Sequence, residues 1–290
     1  MARTLSRRQV VAAGALGAVA AAAGAAGLVQ AEVLPGRYRV GRLLGACDVG
    51  EPPPVTVAPG PLRFASFPSR RRGRSVGYGV AWPPGTGPGD RLPVCLLLHA
   101  AGGNERTPFE RLRLHHHLAQ AVAAGRARPF ALASADGRGA RWRPAGGDDP
   151  LGMLLEELLP LLSGLGLRTG PAQVGVLGWS MGGAGALRLA EASPDRLAAV
   201  AATSPAVADG PEVAGTGRLA GLAVRVDCGA NDPFAAATRA LAGRLPGAQV
   251  AVAKGCHDGA FCSTWPPGRS ASWPPPWRAR SHGDRRHREA

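Results

Sequence analysis

The sequence predicts an α/β fold, a mostly parallel sheet of eight strands flanked by helices. Three observations carry this. The chain has 290 residues, 45% of them hydrophobic and 19% charged, enough to bury a large single core and too apolar for wholesale disorder. From about residue 61, short apolar or β-branched runs alternate with stretches of helical period. The number of such runs is eight, and the helical patterns fall between them rather than after them.

The strand-like runs are 62–67, 75–82, 94–99, 130–135, 173–178, 198–204, 223–228 and 249–253. The helical patterns cover about 108–124, 150–162, 181–192 and 233–245. Only about twenty residues separate the sixth strand from the seventh, too few for a lid domain, so an open site is expected. Residues 32–60 contain EPPP and APG without a regular period and read as a linker or embellishment, leaving 61–262 as the folded domain.

The ends differ from the middle. In residues 1–31, LSRRQVV sets an Arg pair before an Ala/Gly/Val/Leu run, and Leu28-Val29-Gln30-Ala31 fits a signal-peptidase site. The order resembles a twin-arginine signal, which predicts secretion or an envelope location and the twin-arginine export machinery as a partner. An uncleaved anchor is the alternative. Residues 263–290 mix Pro clusters, Trp and Arg with no helical apolar period, and are expected to be disordered. The loss of the amphipathic helix expected there suggests a shift of reading frame near Cys262, a hypothesis that resequencing tests. The formal net charge of +14 is almost all Arg; the two ends carry about half of it, and the middle has no run of interleaved basic and aromatic residues, so no nucleic-acid role is expected.

The chemistry centres on Gly178-Trp179-Ser180-Met181-Gly182, a G-x-S-x-G between an apolar strand and a helical stretch. That strand–turn–helix context is what a nucleophile elbow needs, since small residues two before and two after the Ser relieve a strained turn. An acid and then a His should follow. Asp232 lies on the loop after the seventh strand and His257 on the loop after the eighth. Asp227 lies inside its strand and Asp258 follows the His directly, so both are poorer acids; a helix cap is the plain alternative for Asp232. The oxyanion donors are expected to be the amides of Met181 and of Ala101, with Gly102 close behind, in the turn His99-Ala100-Ala101-Gly102-Gly103-Asn104. His115, His116 and His117 have no acidic or Cys companions and read as a solvated helix face rather than a metal site. No metal and no cofactor are expected. Of five cysteines, Cys228 and Cys256 end neighbouring strands and are nominated as a disulfide. Trp179 and Trp142 are candidates for the substrate pocket, with packing under a loop the alternative for Trp142.

The LLLHAAGGN turn, ADGRGARW, GDDPLGMLLEELLPLL, GWSMGG, CGANDPF and GCHDGAF together resemble the esterase branch of the α/β-hydrolases that includes esterase D and the secreted mycolyltransferases. They span about residues 64–261. The resemblance implies the α/β-hydrolase fold with little or no lid, and ester hydrolysis or acyl transfer without a cofactor. Ala100, where Gly is usual, departs from the pattern. The expectation is an exported serine carboxylesterase acting through Ser180, His257 and Asp232 on a small-molecule, lipid or glycan ester. A mycolyl-type acyltransferase, a non-catalytic wall- or glycan-binding protein and an inactive product of a damaged frame are the alternatives.

Overall fold

The structure is a computed structural model and describes residues 37–50, 54–139, 141–207, 216–219, 221–245 and 247–263. The expected signal segment 1–31 and the tail from 264 lie outside the described residues, as do parts of the linker and of the segment between the sixth and seventh strands. No described helix is long and apolar enough to cross a membrane.

Eight strands form one sheet: β1 Leu62–Ser69, β2 Arg74–Ala81, β3 Val94–Leu98, β4 Ala131–Ala135, β5 Val174–Trp179, β6 Ala199–Thr203, β7 Ala223–Gly229 and β8 Gln249–Ala253. Their spatial order is β1-β2-β4-β3-β5-β6-β7-β8. β2 pairs antiparallel with β1 and β4, and every other pairing is parallel. This is the expected α/β-hydrolase arrangement, with strand bounds within two residues of those read from the sequence.

The central strands are apolar on both faces because helices cover both. On β3, Val94, Leu96 and Leu98 join one core and Cys95 and Leu97 the other. The first core takes Met153, Leu158 and Leu162, then Leu187 and Leu241 from later helices. The second is filled by Phe109, Leu114, Leu118 and Phe130.

The helices are α1 Arg37–Leu43, α2 Thr107–Glu110, α3 Leu114–Ala123, α4 Pro150–Gly152, α5 Leu159–Gly164, α6 Met181–Ala192, α7 Ala235–Ala242 and α8 Gly259–Ser263. The single helix expected over 108–124 is two, because Arg113 takes a left-handed φ of 51° and ends the first register. Between α4 and α5, Met153–Leu158 widens to a π-helix. Pro160, two residues past its end, has no N–H to give to the carbonyl four residues back, so the ladder shifts register ahead of it. α1 falls within the segment read as a linker. There, Gly41 packs so closely on Asn231 that a Cβ would lie 1.7 Å from its Nδ2, and Val49 lies against Gly255. Residues 37–50 thus dock on the loops after β7 and β8.

Candidate active site

β5 ends at Trp179, and the chain turns at Ser180 into α6. Ser180 has φ 55° and ψ −118°, a conformation an L-residue holds only when its surroundings enforce it. Those surroundings are hydrogen bonds. The Ser180 N–H donates to Thr203 O at 3.0 Å, and its carbonyl accepts from Ala184 N at 3.1 Å and Ala206 N at 2.9 Å. The flanking glycines are required by space: a Cβ on Gly178 would lie 2.0 Å from Gly182 O, and one on Gly182 would lie 1.9 Å from Leu98 O.

Asp232 and His257 come from loops after β7 and β8 and meet Ser180 from the far side. The His257 Nδ1–H donates to Asp232 Oδ2 at 2.8 Å, which leaves Nε2 to accept from the Ser180 Oγ–H, also at 2.8 Å. The tautomer follows from the partners, since a carboxylate can only accept. Asp232 is buried, and its Oδ1 accepts from Phe234 N at 2.8 Å, a cap that also fixes the carboxylate. Phe234 sets its ring edge-on to His257 with centroids 5.2 Å apart. The rival acids are occupied elsewhere. Asp227 pairs with Arg225 through two contacts of 2.6 Å, and Asp258 accepts from Phe261 N at the start of α8.

Ser180 opens on a cleft of about 380 Å³ that Ala101, Met181, Ala184, Ala206 and Phe234 help to line. Small-molecule sites of that size are ordinary. The turn supplying Ala101 closes through Gly103 N–H to Ala100 O at 3.0 Å, and the left-handed position within it is Gly102, with φ 73°. Glycine is needed at 102 and not at 100, which explains why Ala100 is tolerated. Gly102 itself is exposed and is not among the residues lining the cleft.

His99 holds this turn in place. Its Nδ1–H donates to Ala100 O at 2.8 Å, its Nε2 accepts from Gly137 N at 2.9 Å, and its carbonyl accepts from Trp142 Nε1 at 3.1 Å. Burial pushes the imidazole below its ordinary range, keeping it neutral and able to both donate and accept.

Several sequence expectations need correction. Trp142 does not line the cleft: it is fully buried, edge-on to His99 with centroids 5.2 Å apart, and packed on Gly137 and Gly185. Trp179 is partly buried, 6.1 Å from the His257 ring, and lines a separate apolar crevice of about 30 Å³ behind the elbow. Cys228 and Cys256 are not paired. The disulfide is Cys47–Cys256, and Cys228 is a free, buried thiol. Register is the reason: β8 places Val252 opposite Cys228, while Cys256 lies past the strand's end, facing the docked N-terminal segment. His117 is not solvated but buried on α3, with His115 edge-on to Phe109. Among the described residues, the only His/Cys/Asp/Glu group close enough to share a cation is Cys47, Cys256 and Asp258, and the disulfide occupies both of its sulfurs. The sequence reading missed the lining residues Ala206 and Phe234 and the arginines of the cleft. Only Arg188 left a signal, two turns from Met181 and one from Ala184 along one helix face.

With this geometry in place, the comparisons decide the family. The family described as "Putative esterase" matches residues 69–274, most of the chain. The chain belongs to that family. It is therefore a serine-type carboxylic ester hydrolase in class. No curated protein matches it. Among solved structures it is similar to the ferulic acid esterase AmCE1/Fae1A of Anaeromyces mucronatus, at 19% identity and a TM-score of 0.62, covering 75% of this chain and 91% of that one. It is also similar to the S-formylglutathione hydrolase FrmB of Staphylococcus aureus, at 15% identity and a TM-score of 0.57, covering 70% and 94%. The fluorophosphonate-binding hydrolase FphF of Staphylococcus aureus aligns at 16% identity and a TM-score of 0.59, covering 71% and 95%. These likenesses support the fold.

Proposed function

We propose that the chain is an exported carboxylesterase in which Ser180 is the nucleophile, His257 the general base and acid, and Asp232 the group that fixes the imidazole. The observation that carries this reading is the His257 ring, bonded at 2.8 Å to Ser180 on one nitrogen and at 2.8 Å to Asp232 on the other. As Oγ attacks the ester carbonyl carbon, His257 Nε2 takes its proton. The amides of Met181 and Ala101 face the negative charge that forms on the carbonyl oxygen. His257 then gives that proton to the departing alkoxide, and the acyl group stays on Ser180. Water repeats the sequence, losing its proton to His257 and releasing the acid as Ser180 recovers its hydrogen.

An open cleft of about 380 Å³ suits a small or exposed acyl group, and the separate crevice of about 30 Å³ is too small for a long acyl chain. Both favour hydrolysis over transfer of a mycolyl-type chain. Ferulic acid esterases among the similar structures make aryl-acid esters a sensible first panel. The Arg pair and apolar run at the start of the chain support twin-arginine export, and the Cys47–Cys256 disulfide fits an oxidising compartment.

Reaction of the protein with a fluorophosphonate probe tests the reading. Labelling at Ser180 that Ser180→Ala abolishes is expected. A folded protein that does not label would sink it and return weight to a binding role.

A further inference from the structure

The mechanism above leaves one feature of the cleft unused, its charge. Of the eight described residues that line it, Arg141 and Arg188 are the charged ones, and none of the eight is acidic. They share the cleft with Ser180 and with the two residues whose amides face the developing oxyanion.

Neither arginine is there by chance of a loose loop. Arg188 projects from the face of α6 that also carries Met181 and Ala184. Its Nη1 donates to the Arg141 carbonyl at 2.9 Å, tying the two segments together. Arg141 and Trp142 are consecutive non-glycine residues with left-handed φ of 51° and 49°. Such conformations are unfavourable and persist where the surroundings overrule them, most often at functional positions. Here the buried Trp142 indole, bonded to His99 O, and its packing on Gly185 of α6 supply the restraint. A Cβ at Gly185 would lie 2.4 Å from the Trp142 Cβ, so only glycine admits this approach. The outcome is an exposed guanidinium held at the cleft beside the nucleophile.

We propose that Arg141, seated by Trp142 and Arg188, forms an anion-recognition subsite in the Ser180 cleft, so that the preferred ester carries a carboxylate or phosphate near its scissile bond. This rests on the reading of Ser180 as the nucleophile. A planar guanidinium meets either oxyanion with two parallel N–H donors, which orients the substrate as well as attracting it. The anion can sit on the acyl side or on the alcohol side of the ester, and the same charge serves both.

The test compares matched esters in low-salt buffer. For the acyl side, the mono-4-nitrophenyl ester of adipic acid is set against 4-nitrophenyl hexanoate. For the alcohol side, 4-acetoxybenzoate is set against phenyl acetate. In at least one pair kcat/KM should favour the anionic ester by about tenfold, the scale of one charge-assisted hydrogen bond on a partly exposed pair. Arg141→Gln should reduce that preference to near parity, chiefly through KM, and Arg141→Lys should restore part of it. Inorganic phosphate should inhibit the wild type competitively and Arg141→Gln more weakly, and added sodium chloride should weaken both effects. If a protein that labels at Ser180 shows no preference in either pair, or a preference that Arg141→Gln leaves intact, the subsite is overturned and the esterase reading stands. If the folded protein fails to label at Ser180, both fall.

Discussion

Replacing Cys47 with Ser should cost this protein far more than a half-buried surface residue normally does. Cys47 and Cys256 are 209 residues apart, so their bond closes nearly the whole folded domain into one loop. The loop-closure relation gives an entropy of about 18 cal/mol/K for such a loop, or about 5 kcal/mol at 25 °C as an upper bound. Native disulfides deliver roughly 2–5 kcal/mol, because unfolded chains retain some compactness. Urea unfolding followed by Trp fluorescence, on oxidised wild type and on Cys47→Ser, reads this directly. The variant should lose about 2–5 kcal/mol, and its melting temperature should fall by roughly 10 °C for a domain of this size. Wild type in reductant should unfold with the variant. Activity at 25 °C should fall less than stability, because the His257 loop is also held by Asn231 N to Gly255 O at 3.0 Å and Ala230 N to Ala253 O at 2.6 Å. A loss below about 1 kcal/mol would refute the reasoning, showing that residues 37–50 do not close the loop in solution.

Gly182→Ala should abolish soluble enzyme or cost several kcal/mol, because its Cβ would meet the Leu98 carbonyl at 1.9 Å and no rotamer relieves a clash with backbone; yield and thermal melting check this. His99→Phe keeps the bulk but strands the buried Gly137 N–H, and calorimetry should show a loss of about 1–3 kcal/mol with a lower kcat. Burial holds His117 down to about 4, against 6.5 when unfolded, so the unfolded chain binds more protons between those values. Stability should therefore be complete above pH 6.5 and decline as pH falls toward 4; His117 contributes up to about 3 kcal/mol and the more exposed His115 less, and His117→Gln should flatten the slope of urea midpoint against pH. Cys95, Cys228 and Cys262 are buried, with burial pushing Cys228 up to about 12, so a thiol reagent should titrate none in the native protein and three once it is unfolded.

What the sequence disclosed follows from where information is local. Ser180, Asp232 and His257 each follow a strand whose apolar run is unmistakable, so order and spacing alone place them at one edge of the sheet. The glycines of the elbow are legible for the same reason, because a tight turn must be built from adjacent residues. Cys47 was not legible. Its partner is 209 residues away, its own segment has no period, and the docking of Gly41 on Asn231 depends on a tertiary fit. Trp142 misled because an aromatic beside a site can line it or brace it, and the choice turns on one hydrogen bond to His99 O. The break at Arg113 and the π-turn before Pro160 are likewise small backbone adjustments inside helices that the apolar pattern had already announced.

The backbone at Ser180 carries a further meaning for how such a chain changes over generations. Its φ of 55° and ψ of −118° are cheaper for glycine than for serine by a margin on the order of 1 kcal/mol or more. Drift toward stability alone would therefore erase the hydroxyl at this position. With Ser180 as the nucleophile proposed above, a serine kept there marks selection for chemistry, and a descendant without that activity should lose the residue early, while its sheet remains intact.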